Sequence, residues 1–143
     1  RGLVGSEMCI RDRATRDAGL DINLQNIIDA IGFKSIRDYP MKLECCGAPL
    51  MAPNPVLGLK VGGAKLSGAL KSGADLMLTT CPYCLEMLDY RQESISSISE
   101  IEISMPVMYY QQILGLVLGF DPRDLGLNFN MSPVERILER FKK

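Results

Sequence analysis

The chain has 143 residues, 47% of them hydrophobic, and its charges nearly cancel, with 16 Lys+Arg against 17 Asp+Glu. This is the makeup of one globular domain, and it excludes both a disordered polyelectrolyte and the basic footprint of a nucleic-acid binder. The absence of histidine removes imidazole bases, Ser-His and Cys-His nucleophile pairs and histidine-bearing metal sites, and the longest apolar run, Ile113 to Phe120, falls far short of the roughly 20 residues of a membrane span.

The opening string RGLVGSEMCIRDR has neither the apolar core nor the cleavage site of a signal peptide, and no structural period. It is similar to the translated read-through of a sequencing adapter, so residues 1–13 are expected to be non-native. Leu24, Ile27, Ile28 and Ile31 fall on one helical face and predict a helix over Asn23–Ile31, stopped by Gly32. Phe33–Tyr39 predicts a short strand, followed by a loop, Leu43–Pro49, that carries Cys45 and Cys46. Asn54 and Pro55 open a helix that runs to Lys71. Inside it, Gly58, Gly62, Gly63 and Gly68 cost about 1 kcal/mol each, so they are expected where a backbone or a cofactor comes close.

Asp75–Thr80 reads as a strand buried on both faces, and Cys81-Pro82-Tyr83-Cys84 follows at once. Leu85–Gln92 predicts a helix with Cys84 in its first turn, Glu93–Ile103 a surface loop with a short edge element, and Met105–Tyr109 a third strand. Gln111–Leu118 is a further helix and Asp121–Asn130 is irregular. Ser132 and Pro133 cap a last helix, Val134–Lys142, through the S-x-x-E box of Ser132 and Glu135. The alternation predicts an α/β layered domain with a mostly parallel sheet and cysteine loops at the carboxyl ends of strands. Residues 14–131 would form this cysteine-rich domain and 132–143 its C-terminal helix.

Chemistry falls to the cysteines. Apart from Cys9 they form two groups, a CCG at Cys45 and Cys46 and a CPYC at Cys81 and Cys84. A domain of this size does not need a disulfide framework, so a reducing compartment and a metal or redox role are favoured. Both groups follow predicted strands, and loops at the carboxyl ends of a parallel sheet converge. Adjacent cysteines point apart, which suits one tetrahedral zinc ion poorly. They suit a cluster of several irons better, because each iron takes its own thiolate and the helix start at Cys84 offers backbone N–H groups to a negative cluster. Two alternatives stay open: a metal-free thiol-disulfide exchange site at the CPYC, and a zinc-stabilised interaction module.

The segments DYPMKLECCGAPLM, GADLMLTTCPYCLEMLDYRQ and MPVMYYQQILGLVLGF, in this order and spacing, resemble the C-terminal half of the cysteine-rich CCG-domain proteins typified by the B subunit of heterodisulfide reductase. The resemblance runs from about Asn23 to Asn130. It implies an oxidoreductase component in which Cys45, Cys46, Cys81 and Cys84 are ligands of a non-cubane [4Fe-4S] cluster that serves disulfide reduction or a related electron transfer. It also implies flavin-bearing and ferredoxin-like partner subunits, a small disulfide substrate and a cytoplasmic location, with one module alone expected to be inactive. The family carries a further upstream cysteine. Cys9 stands near the required distance but within the adapter-like string.

Other residues receive plainer expectations. Lys42 and Lys60 are expected to be solvated, Met51, Met77, Met87, Met105 and Met108 to fill the core, and Tyr83, Tyr109 and Tyr110 to lie at its edge. Glu86 and Asp89 are expected on an exposed helix face.

Overall fold

The computed structural model describes residues 20–36 and 39–141. Cys9 and the rest of the adapter-like string lie outside the described residues. Helix α1 (Leu20–Ala30) ends at Gly32, as its apolar spacing predicts. Helix α2 (Pro55–Lys71) opens with Asn54, whose side-chain oxygen accepts the Leu57 N–H at 3.1 Å. Strand β1 (Met77–Thr79), helices α3 (Pro82–Leu88) and α4 (Gln92–Ser99) and strand β2 (Val107–Tyr109) form a β-α-α-β unit. Helix α5 (Tyr110–Val117) and the short α6 (Glu135–Leu138) complete the set.

The two strands pair in parallel, Met77 opposite Val107, Leu78 opposite Met108 and Thr79 opposite Tyr109. Side chains alternate across a strand, and here both faces are covered. Met77 and Val107 join Leu59, Leu66, Met87, Leu88 and Ile95 in a core under α2, α3 and α4. Met108 turns the other way, into a second core with Ile28, Ile113, Leu116, Val134 and Ile137 from α1, α5 and the C-terminal segment. The fold is therefore an α/β layered domain, and the apolar run Asp75–Thr80 reflects burial on both faces.

A third strand at Phe33–Tyr39 is not formed in its described residues. The backbone N–H groups there are spent on the end of α1: Phe33 donates to the Ile28 carbonyl and Ser35 to the Asp29 carboxylate at 2.7 Å. The CCG loop consequently follows irregular chain rather than a strand. Around β2, side chains take the place of a neighbouring strand. The Val107 N–H donates to Ser132 Oγ at 2.9 Å, its carbonyl accepts from Asn130 Nδ2 at 2.8 Å, and the Tyr109 N–H donates to Gln112 Oε1 at 2.8 Å. Just upstream, Gln92 pairs with both backbone groups of Met105. The backbone polar groups are thus satisfied without a further ladder.

Three further expectations are corrected. Most of Glu93–Ile103 is not a loop: α4 forms despite its serines because Ile95, fully buried, packs on the bare surface of Gly62 and Gly63. Ser132 does not cap the last helix, because its hydroxyl donates to Asp89 while accepting from Val107. That helix is shorter than predicted, with α6 giving way to a 3₁₀ turn at Glu139–Phe141. Among the described residues no helix is long and apolar enough to cross a membrane.

Candidate metal centre

The CCG turn is built against α2. Gly47 takes a left-handed φ of 89°, and a Cβ there would collide with the carbonyl of Gly58. Only glycine meets both demands. A Cβ on Gly62 would approach the Cys46 carbonyl at 3.3 Å, and one on Gly68 would reach the Pro40 carbonyl at 2.5 Å. The helix glycines thus let the loop backbone lie directly on α2. The side chain that fastens it is Lys65, which donates to the carbonyls of Met41, Lys42 and Glu44 at 2.7, 2.8 and 2.9 Å.

The CPYC is set by β1 and α3. Thr79 Oγ1 accepts the Cys81 N–H at 3.2 Å and donates to the Cys81 carbonyl at 3.3 Å, which turns the chain off the strand. Pro82 then starts α3, with Cys84 in its first turn. The Cys84 and Leu85 N–H groups both donate to the Cys81 carbonyl, so they close the helix rather than face an external anion.

These elements bring the two cysteine groups together. The Cys46 thiol donates to the Tyr83 carbonyl at 3.9 Å, which seats the CCG turn on the CPYC, and the cysteines are near enough to influence one another's ionisation, Cys84 and Cys45 that of Cys46, and Cys46 and Cys81 that of Cys84. Cys46 and Cys81 are buried, Cys45 and Cys84 half-buried, and all four are free thiols. The hydrogen bond with Cys84 brings the Cys46 thiol down from the ordinary 9.0 to about 6, against the opposing effect of burial; the Ala48 N–H, the Lys65 charge and Cys45 assist. Cys84 moves the other way, raised first by its bond to Cys46 and then by burial and the charges of Cys46 and Cys81.

Among the described residues no three cysteine or acidic side chains close tightly enough on one point to hold a single metal ion. A lone tetrahedral ion needs every thiolate about 2.3 Å from one centre, a demand that adjacent cysteines meet poorly, whereas a group with several metal atoms takes its thiolates on different atoms. The all-thiol donor set, half sheltered and beside a cation, therefore fits an iron-sulfur group better than one zinc ion.

Around the sulfurs, Tyr109 is raised by burial and then by the charges of Cys81, Tyr90 and Cys84, so its phenol keeps its proton. With Thr80, Pro82, Gln111, Gln112 and Leu125 it lines a groove of about 440 Å³. Tyr83 is exposed and Tyr110 buried. Lys60 is exposed, as expected, and Met77, Met87, Met105 and Met108 are buried in the core while Met51 packs at its edge. Asp89 is a correction: it is only 1% exposed, and its carboxylate accepts the N–H groups of Met131 and Ser132 at 3.0 and 2.9 Å. Its place at the end of α3 turns it toward the C-terminal segment, while Glu86, half exposed, pairs with Arg91. Sequence reasoning missed Lys65, although its seven-residue offset from Gly58 puts both on one face of α2.

The family model of the cysteine-rich domain, CCG, matches residues 9–89, a span that begins at Cys9 and includes both cysteine motifs. The B subunit of the ferredoxin:CoB-CoM heterodisulfide reductase of Methanosarcina mazei is 33% identical over 122 residues, 84% of this chain and 40% of that protein. The membrane anchor subunit of the 8-methylmenaquinol:fumarate reductase of Wolinella succinogenes is 30% identical over 134 residues, 90% of this chain and 47% of that one. An Archaeoglobus profundus protein described as like the heterodisulfide reductase B subunit is 31% identical over 119 residues, 82% of this chain and 39% of that one. The chain spans less than half the length of these relatives. With its double cysteine and its CPYC folded against each other, the chain belongs to the cysteine-rich CCG domain family.

Proposed function

We propose that this chain is an iron-sulfur electron-transfer module of an oxidoreductase like the B subunit of heterodisulfide reductase, with Cys45, Cys46, Cys81 and Cys84 as ligands of a non-cubane [4Fe-4S] cluster. The observation that carries the reading is the contact of the Cys46 thiol with the Tyr83 carbonyl of the CPYC, which joins two motifs from separate loops into one sulfur site. The family match and the names of the relatives point the same way. When bound, the cluster supplies one-electron transfer at a potential set by its thiolates, their hydrogen bonds and burial.

The chain's own residues provide the rest. With its pKa lowered to about 6, Cys46 gives up its proton to a bound cation more readily than an ordinary thiol. Lys65 offsets the negative charge that gathered thiolates create. Tyr109 holds a proton on its phenol beside Cys81 and Cys84, at the wall of the groove where a small disulfide could approach. Reduction of such a disulfide takes two electrons and two protons and yields two thiols. The electrons would come from flavin-bearing and ferredoxin-like partner subunits, in a cytoplasmic setting that keeps the four thiols reduced.

Anaerobic purification followed by iron and acid-labile sulfide assay tests the reading. Brown protein containing both supports it. Colourless, iron-free protein that reduces a glutathione mixed disulfide would establish thiol-disulfide exchange instead, and stoichiometric zinc would establish an interaction module. Against exchange at the CPYC stands Cys81, which at 2% exposure cannot readily attack a disulfide.

A further inference from the structure

Lys65 is 8% exposed, and its amine donates to three carbonyls at once, those of Met41, Lys42 and Glu44. A neutral amine has two N–H bonds and an ammonium three, so this arrangement requires the charged form. The three carbonyls belong to the turn that leads directly into Cys45 and Cys46. Met41 sits at a φ of 68°, a left-handed conformation that costs a residue with a Cβ about 1 kcal/mol or more. Its carbonyl accepts from both Lys65 and the Glu44 N–H, so the uncommon turn is held from two sides. The glycines on the same helix let this turn lie close enough for a lysine to span the gap, with Gly68 under Pro40 and Gly62 under Cys46.

We propose that Lys65 is the positioning residue of the double-cysteine loop, using its three N–H bonds to fix both the course of that loop and one positive charge on the backbone that leads into Cys45 and Cys46. The loop half of the inference stands on the geometry alone; the effect of the charge on a bound cluster rests on the iron-sulfur reading above. A cation held there stabilises the more negative, reduced form of such a site and so raises its midpoint potential.

Two variants separate bonds from charge. K65M removes both, and K65Q removes the charge while leaving an amide that can still donate to the loop. In metal-free protein, K65M is expected to speed hydrogen exchange at the Lys42 and Glu44 amides by about tenfold, the equivalent of losing one strong hydrogen bond, with the Met77 amide of β1 unchanged. K65Q should stay near wild type in that measurement. In cluster-loaded protein both variants should move the midpoint potential to more negative values. Wild-type exchange in K65M, or a wild-type midpoint in both variants, overturns the proposal. If K65M does not fold, the midpoint of K65Q decides. If wild-type protein takes up no iron, the functional reading fails and the exchange experiment alone judges Lys65.

Discussion

Cys46 donates its thiol to the carbonyl of Tyr83, inside the CPYC, at 3.9 Å, and with Cys84 beside it the Cys46 thiol is made acidic while Cys84 is made reluctant to ionise. Neither motif would do this alone. The pairing depends on α2 carrying the first loop and β1 delivering the second.

The first prediction concerns this pair in metal-free protein. Because the Cys46 pKa is lowered to about 6, its thiolate is present above that pH and is lost as the pH falls through it. The ultraviolet thiolate absorbance should therefore show a step near pH 6. C46S should abolish the step. C84A should shift it upward, since Cys84 supplies the largest favourable interaction and alanine has no donor to replace it.

A second prediction follows from Asp89. Its carboxylate is buried and takes two backbone N–H groups and the Ser132 hydroxyl, joining the end of α3 to the segment that edges β2. Replacing it by alanine leaves those donors unpaired and should cost about 3 kcal/mol. D89N keeps one good acceptor and should cost roughly half as much, and S132A about 1 kcal/mol. Urea unfolding of the metal-free chain measures all three.

The third prediction separates close packing from backbone conformation. G68A places a methyl against the Pro40 carbonyl and should destabilise by about 2 kcal/mol while loosening the turn before Cys45. G73A has open space around its Cβ but a φ of 81°, and should cost only about 1 kcal/mol with no effect on that turn. Thermal unfolding combined with proteolysis between Pro40 and Cys46 distinguishes the two.

Much of this architecture is readable from residue order. The Asn54-Pro55 start of α2, the buried run at β1, the cysteine turn after it and the role of the α2 glycines in close approach all stand as expected, because each rests on a local stereochemical demand. What escapes such reading is decided by distant partners. The segment after Phe33 has the composition of a strand but spends its N–H groups on α1. The serines of α4 disfavour a helix until Ile95 finds the bare face of α2. Asp89 has the sequence context of a surface acid because the backbone that buries it lies more than forty positions away. At the site, the four cysteines are legible from their motifs, whereas Lys65 is hidden in a helix of ordinary lysines and shows itself only through the loop it holds.

On the proposed reading, the four thiols of Cys45, Cys46, Cys81 and Cys84 hold one iron-sulfur group between them. Iron and acid-labile sulfide, measured per chain after anaerobic reconstitution of wild type and of the four single Cys→Ser variants, tests it most directly. Equal iron and sulfide in wild type, and a large loss of both in every variant, are expected. Wild-type protein without iron, or variants from both motifs that keep their full complement, would contradict it.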